Sequence, residues 1–508
     1  MPVKPTLLVL APLRVEAWAL RSGRPGRLGP VDVRVERTGM GLAKAAETAQ
    51  RLSRSPAAAV ALCGLGGDLT GRHRPGDIVV AERVLDSQGR QVAQLPSAVP
   101  LVAELRRLGL AASSGTVVST DHIVTGEERS ELGRLGADVV DMESAAVVSG
   151  APWAGPVAVV RAISDAPGHE LFSPAGARGI VSGLRSLRRT LPALAAWAGA
   201  AGPHQVVLAE PRGFCAGVRR AIETVERALH RYGAPVYVRR QVVHNSYVVS
   251  QLERAGAVFV EELSEVPDGA TVVFSAHGVG TSVTEEAARR GMVSIDATCP
   301  LVSKVHTEAR RFAAAGRQVV LVGHAGHDEV EGTLGQVPGA RLVTTASDVA
   351  RLDLDPARPT AFVTQTTLAT DEVAHVVQAL EERFSDLARP AASDICYASQ
   401  NRQEAVRHIA PDCDVVLVVG SPGSSNSNRL VEVARRHGAR AYLVDSPADI
   451  QAAWLAGARR VGVTAGASAP EELVQGALGY LAGLGPVITE QRSTGTEHVT
   501  FPLPQEIR

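Results

Sequence analysis

The run DVVLVVGSPGSSNSNRLVEVARRH, residues 414–437, decides the fold class. It opens with a short valine-rich apolar run ending at Gly420, which reads as a strand. A turn of serine, asparagine, glycine and proline follows, and RLVEVARRH then continues as an amphipathic helix. Strand, polar turn and helix in that order is the building unit of an α/β protein. Working outward, VVLA (206–209), TVVFSA (271–276), VSIDA (293–297), VVLVG (319–323), TAFVT (360–364) and RVGVTAG (460–466) repeat the pattern. The first half does so less regularly, with TLLVLA (6–11), VDVRVERT (31–38), AAVALCG (58–64), DIVVAERV (77–84), GTVVST (115–120) and VAVVRAIS (157–164). An Ala/Gly/Pro stretch, LPALAAWAGAAGPHQ (191–205), lies between the halves. The expected division is therefore residues 1–200 and 204–508.

A chain of 508 residues exceeds one ordinary domain and calls for two to four. Apolar residues make up 45% and charged residues 21%, which excludes disorder and coiled coil. The net charge of −1 offers no field for nucleic acid or an anionic membrane surface. The basic residues are all arginine except Lys4, Lys44 and Lys304, and no function follows from that. No apolar run is long enough to span a bilayer, and the N-terminus lacks the pattern of a signal peptide. A cytoplasmic location is expected. Five cysteines without a CxxC pair exclude a disulfide scaffold, a zinc ribbon and a thioredoxin-like motif.

Nearly every apolar run of the second half ends in polar residues, among them His277, Thr298, Thr366 and Ser424. In an open parallel sheet ligands sit at the carboxyl ends of the strands, so these clusters are expected to converge. A cysteine after a strand is most often a small buried apolar residue, which suits Cys63 and Cys413. The other three fit that less well: Cys215 and Cys396 stand just ahead of helices, where thiolates are favoured, and Cys299 precedes a proline in DATCP. Their spacing suggests one from each of three similar α/β units. Three converging thiolates make an iron–sulfur or a zinc site with one metal position left for substrate. Ser424, Ser425 and Asn426 at a helix start form an anion cradle. GASAPEELV repeats the device: Ser468 and Glu471 read as a capping box, with Pro470 in the first turn. His244, His277 and His327 offer charge-assisted donors for an anion. Good helix caps are the plainer reading of each serine cluster taken alone.

Residues 204–508 resemble the 4-hydroxy-3-methylbut-2-enyl diphosphate reductases of isoprenoid synthesis. The motifs that carry this are PRGFCAGVRRAI, VVHN, SAHGV, DATCPLV, GHAGHDEVEGTLGQ, VTQTTL, DICYASQNRQEAV, GSPGSSNSNRL and VTAGASAPEELV. The resemblance implies that Cys215, Cys299 and Cys396 hold a [4Fe–4S] cluster whose fourth iron faces the substrate hydroxyl. It further implies that His244, His277, Ser424, Ser425, Asn426 and Ser468 grip the diphosphate, with His327 in the same pocket. Glu329 is the implied proton source and Thr366 orients the hydroxyl. Reduced ferredoxin or flavodoxin is the implied electron donor.

The ordered set TGMG (38–41), CGLGGDL (63–69), PGDIVVA (75–81), DMES (141–144) and VRAISD (160–165) resembles the purine nucleoside phosphorylase / methylthioadenosine nucleosidase superfamily. That resemblance covers about residues 5–195. It implies that Met142 and Glu143 hold a ribose and that Asp165 protonates the purine N7 of a nucleoside substrate. Glu16 matches the water-activating glutamate of the nucleosidases once one residue is inserted after Ala11. Hopanoid-associated members share the DMES form, which makes adenosylhopane a candidate substrate. The expectation is thus an α/β nucleosidase-like domain fused to a reductase of three small α/β units. Two alternatives are a reductase carrying a non-catalytic nucleosidase-like module, and an iron–sulfur sensor that binds diphosphate without turnover.

Overall fold

Every apolar run quoted above forms a strand in the computed structural model, which describes residues 4–23 and 31–508. The chain divides into two units. The first draws on residues 1–206, 446–461 and 475–489, the second on 207–445, 462–474 and 490–508. Among the described residues, no helix is long and apolar enough to cross a membrane.

The first unit is built on an eight-stranded sheet. Thr6–Ala11 pairs in parallel with Asp32–Arg37 on one side and Ala59–Asp68 on the other. From there Ala59–Asp68, Val157–Asp165, Ile78–Leu85, Ala112–Ser119 and Val139–Asp141 pair in succession, and the last returns to the first. The strands thus close into a ring, and Val60, Leu62, Val79, Val117, Val139 and Val159 of it join one buried apolar cluster with residues of the helices Leu42–Leu52 and Ser144–Ser149. Closure brings Gly67 opposite Asp165, so the glycine-rich CGLGGDL and the end of VRAISD meet at one rim. The Ala/Gly/Pro stretch is helical as far as Ala200, in a helix that starts at Pro174 and is capped by Ser173. Its buried face carries Leu187, Leu191, Leu194 and Trp197, and this apolar stripe outweighs the helix-breaking tendency of Pro192. Trp197 Nε1 donates to the carbonyl of Gly483 at 2.9 Å, and Ala452 N donates to Glu104 at 2.8 Å. Such bonds tie the two late segments into this unit.

The second unit contains two four-stranded parallel sheets. One has the order Ala257–Val260, Val236–Arg239, Thr271–Phe274, Val293–Asp296. The other has the order Arg341–Val343, Gln318–Val322, Thr360–Thr364, Leu387–Ala388. A third sheet has the order Arg440–Val444, Val415–Val419, Arg460–Ala465, His204–Glu210, Val487–Ser493, the last three strands starting in segments that count with the first unit. Each sheet sends a cysteine-bearing loop from near a strand end into a helix: Ala216–Tyr232, Pro300–Ala314 and Tyr397–Ile409.

Candidate functional site

Cys215, Cys299 and Cys396 each occupy the position immediately before the first residue of a helix. All three line one pocket, and none forms a disulfide. Val218 N donates to Cys215 Sγ at 3.4 Å. Backbone N–H groups of Leu301 and Val302 point at Cys299, and those of Ala398 and Ser399 at Cys396. Gly217 separates the first two sulfurs: a Cβ there would lie 2.6 Å from Cys299 Sγ and 3.8 Å from Cys215 Sγ. Burial, with the neighbouring Cys215 thiol second, pushes Cys299 up to about 12 and Cys396 up to about 11. Such thiols ionise readily only beside a strong positive charge. Soft sulfurs, N–H groups aimed at them and a shared dry pocket suit an iron–sulfur cluster. Cys413 lies in an apolar core and Cys63 is fully buried near Glu16 and Arg161; neither lines this pocket.

Beside the sulfurs stand three histidines. The His244 and His277 rings stack at 4.1 Å, and His327 meets them edge-on at 5.3 and 5.8 Å. Burial lowers His244, lowers His277 far below the ordinary histidine range, and brings His327 down to about 4. His327 Nδ1 accepts from Glu329 N at 3.2 Å, which places its proton on Nε2. His244 Nε2, His277 Nδ1 and both amide atoms of Asn426 are buried without a partner. Buried polar atoms are rarely left so, and four in one pocket call for a ligand. Ser424 caps the helix Ser425–Arg436, and Ser425 Oγ accepts from Thr367 at 3.1 Å. Ser468 donates to the carbonyl of His244 at 3.0 Å, while the helix expected to start near it begins at Glu471.

Glu329 is almost wholly buried, and both its oxygens face Thr366: Oε1 accepts from Thr366 N at 2.7 Å and Oε2 from Thr366 Oγ1 at 3.0 Å. Burial, only partly offset by those bonds, raises its carboxyl to about 7.

The motif reading missed Asp328, although it stands between His327 and Glu329. Its Oδ2 lies 3.7 Å from His244 Nε2 and 3.9 Å from His277 Nδ1, and its Oδ1 is held by Arg240. His244, His277 and Asp328 offer ligand atoms within 4.8 Å of one another, close enough for a cation. Because Arg240 already balances Asp328, this set favours an anion over a dication.

In the first unit, the carboxylate of Glu16 is buried and accepts from Leu13 N at 2.7 Å and Leu65 N at 2.8 Å. Glu143 accepts from Gly41 N at 3.0 Å and lies 3.6 Å from the fully buried Arg161. Burial raises both carboxyls above their ordinary range. Met142 is half-buried in the turn just before Glu143. A Cβ on Gly64 would lie 2.5 Å from Arg161 Nη1 and 3.0 Å from Glu16 Oε1, so a larger residue there would push directly on this charged pair. Asp165 accepts from Ser164 Oγ at 2.6 Å and is ion-paired with Arg129. The structure therefore brings Glu16, Glu143 and Arg161 together, with Asp165 four residues from Arg161 on the same strand. Sequence reading singled out neither Arg161 nor Arg129. Arg161 stood inside VRAISD, where an arginine within a buried strand is the available signal. Nothing marks Arg129 in its charged helix.

The LytB protein family model matches residues 206–482 and the Phosphorylase superfamily model matches residues 21–179. Over 306 residues the chain is 57% identical to the 4-hydroxy-3-methylbut-2-enyl diphosphate reductase of Azoarcus sp. (strain BH72), covering 60% of this chain and 98% of that protein. The reductase of the same name from Pseudomonas entomophila (strain L48) is 54% identical over 309 residues, covering 60% and 98%. The solved E-1-hydroxy-2-methyl-but-2-enyl-4-diphosphate reductase from Plasmodium falciparum is 35% identical with a TM-score of 0.57, covering 60% of this chain and 96% of its own. The 5'-methylthioadenosine/S-adenosyl homocysteine nucleosidase of Campylobacter jejuni covers 37% of this chain and 98% of its own, at 15% identity and a TM-score of 0.32.

Proposed function

The chain belongs to the LytB protein family, and from that premise we propose that its residues 204–508 remove the hydroxyl of 4-hydroxy-3-methylbut-2-enyl diphosphate. Two electrons and two protons enter, the C–O bond breaks, water leaves, and a new C–H bond gives isopentenyl or dimethylallyl diphosphate. The observation that carries this reading is the meeting of three helix-capping cysteines, the Glu329–Thr366 pair and three histidines in one pocket.

Cys215, Cys299 and Cys396 would hold a [4Fe–4S] cluster, which when bound supplies electrons from reduced ferredoxin or flavodoxin and a Lewis-acidic iron. Glu329 holds the proton. With its carboxyl raised to about 7 it is partly protonated at neutral pH, the condition for a general acid. Thr366 Oγ1 touches Glu329 Oε2, so the threonine hydroxyl orients the substrate oxygen and passes the proton to it. The unpartnered atoms of His244, His277 and Asn426, with Ser424, Ser425 and Ser468, bind the diphosphate. Anaerobically purified protein should be brown, carry about four irons per chain, and turn over the substrate with a reduced carrier. A colourless zinc protein contradicts the proposal. A cluster-loaded protein that binds diphosphate without turnover supports the sensor instead.

For residues 1–200 the reading is cleavage of a purine N-glycosidic bond in the cytoplasm. It is supported by the Phosphorylase superfamily match and by the meeting of Glu16 and Glu143 at Arg161. Val15 and Met40 line an open pocket of about 590 Å³, and both are half-exposed. Trp18, one helical turn from Val15, is more exposed still. These exposed apolar side chains, set among Arg14, Arg37 and Lys44, support a nucleoside with a large apolar 5′ extension such as adenosylhopane. Adenine release from adenosylhopane, measured with and without phosphate and beside methylthioadenosine, tests it. No release from any nucleoside would leave a non-catalytic module.

A further inference from the structure

Residues 494–508 meet two arginines, Arg402 and Arg220, that bond to the cysteine loops, without contributing to the pocket themselves. Arg402, fully buried six residues after Cys396, spends every N–H it has there. Nε and Nη2 donate to the carbonyl of Gly213 at 3.0 and 2.6 Å, two residues before Cys215. Nη1 donates to Ala398, two residues after Cys396, at 2.9 Å. Glu497 takes the remaining two donors at 2.9 and 3.3 Å, and Asn401 adds a third bond to the same carboxylate at 3.1 Å. Five N–H donors in five bonds, to four acceptor atoms, is the full donor capacity of a guanidinium.

A second arginine repeats the arrangement on the other side. Arg220, five residues after Cys215, donates to the carbonyl of Thr298, which precedes Cys299, at 3.0 Å, and to Asp296 O at 3.4 Å. Its Nε donates to the carbonyl of Pro502 at 2.7 Å. Beyond these two contacts the tail is fastened by Ile507, buried in the core that includes Val225 and Ile295. Arg402 thus joins the Cys215 and Cys396 loops, Arg220 joins the Cys215 and Cys299 loops, and the tail meets both arginines.

We propose that residues 494–508 are a strap that, through Arg402–Glu497 and Arg220–Pro502, fixes the relative positions of the three cysteines and so governs retention and electronic state of the cluster. This rests on the cluster reading above. Arg402, Arg220 and Glu497 are positioning residues, since none lines the pocket. A ligand triad drawn from three separate loops has no geometry of its own, and outer contacts of this sort commonly change metal affinity by about 10–100-fold.

The experiment uses the full chain, purified anaerobically, as wild type, Arg402→Gln, Arg402→Lys, Arg220→Gln and Glu497→Gln. Iron per chain, the rate of iron loss to a chelator, the electron paramagnetic resonance spectrum of the reduced protein and its midpoint potential are read, with far-ultraviolet circular dichroism as the measure of folding. Arg402→Gln and Glu497→Gln are expected to lose iron about tenfold faster or more and to shift the resonance and the potential at unchanged helix content. Arg402→Lys, which keeps the charge but not the fork, recovers only part of this. Glu497→Gln is isosteric at the rim and keeps the test sound if Arg402→Gln fails to fold. Variants with wild-type iron retention, spectrum and potential overturn the strap alone. Wild-type protein without iron overturns the cluster reading, and the strap with it.

Discussion

Glu329 and Thr366 come from different strand ends of one sheet, yet the carboxylate of the first takes both hydrogen bonds that the second can give, from N and from Oγ1. Two bonds of 2.7 and 3.0 Å would by themselves hold a carboxylate in its charged form. Burial works in the opposite direction and is the larger effect, leaving the carboxyl at about 7. The carboxyl is therefore partly protonated at neutral pH; with Oε1 taken by Thr366 N, its proton would sit on Oε2, and the bond to Thr366 Oγ1 would then run from the acid to the hydroxyl.

Turnover should accordingly require the protonated form. A carboxyl raised from its ordinary range to about 7 is fully protonated below the ordinary value and loses its proton as pH rises through about 7. The rate of the chemical step is expected to be flat on the acid side and to fall about tenfold per pH unit well above 7. Glu329→Gln should keep the iron and bind substrate while losing about 100-fold or more in turnover. A pH profile of single-turnover rates checks both statements, and a wild-type rate in the variant removes Glu329 from the role.

Much of this site was legible because its residues sit in dense motifs at strand ends: Cys299 in DATCP, His277 in SAHG, Glu329 in GHDE-like order after His327. The parts that escaped sequence reading share a physical cause. Val236–Arg239, Ala257–Val260 and Arg341–Val343 are three- or four-residue strands, most carrying charged or aromatic residues, too short to show an apolar period. Asp328 matters only because Arg240, 88 residues away in sequence, folds against it. Arg129 looks like a surface arginine in its charged helix, whereas Arg161 stands inside the apolar strand VAVVRAIS and could have been marked there. Beyond Thr494, which still bonds to Glu210 in a strand, the tail has no periodic pattern, and Glu497 and Pro502 are held by the side chains of Arg402 and Arg220.

In the first unit, Arg129 and Asp165 form an ion pair with less than a tenth of either side chain exposed. Two further nitrogens of Arg129, Nε and Nη1, have no partner. Removing one charge strands the other in a dry site, so Arg129→Met should destabilise this unit by about 3–5 kcal/mol. The double variant Arg129→Met/Asp165→Asn should recover part of the loss. Chemical denaturation followed by tryptophan fluorescence measures this. Equal stabilities for wild type and Arg129→Met would mean that water reaches the pair.

Gly217 lies between two sulfurs, and a Cβ there would sit 2.6 Å from Cys299 Sγ. Helix geometry itself tolerates alanine better than glycine, so Gly217→Ala should leave or improve helix stability while displacing Cys299. The expected result is a folded protein with less than about half the wild-type iron. Circular dichroism and iron analysis on the same sample distinguish this from misfolding. Full iron content would show that the sulfurs yield more easily than the backbone suggests.

Anion binding should also draw protons into the second unit. His244, His277 and His327 are all depressed by burial, His327 to about 4, and are neutral at pH 7. The groups around them are Asp328, Arg240, Glu331 and His324, and only the acidic side of that set favours a charged imidazole. A diphosphate brings far more negative charge than Asp328 supplies and reverses the balance, so the pocket is expected to take up protons as it fills. Binding of inorganic pyrophosphate should then weaken as pH rises, by up to about tenfold per unit for each proton taken up. Calorimetry in two buffers of different ionisation enthalpy reads the uptake directly. A binding enthalpy independent of buffer, with affinity flat across the neutral range, would show that serines, Asn426 and backbone N–H groups hold the anion without the histidines changing state.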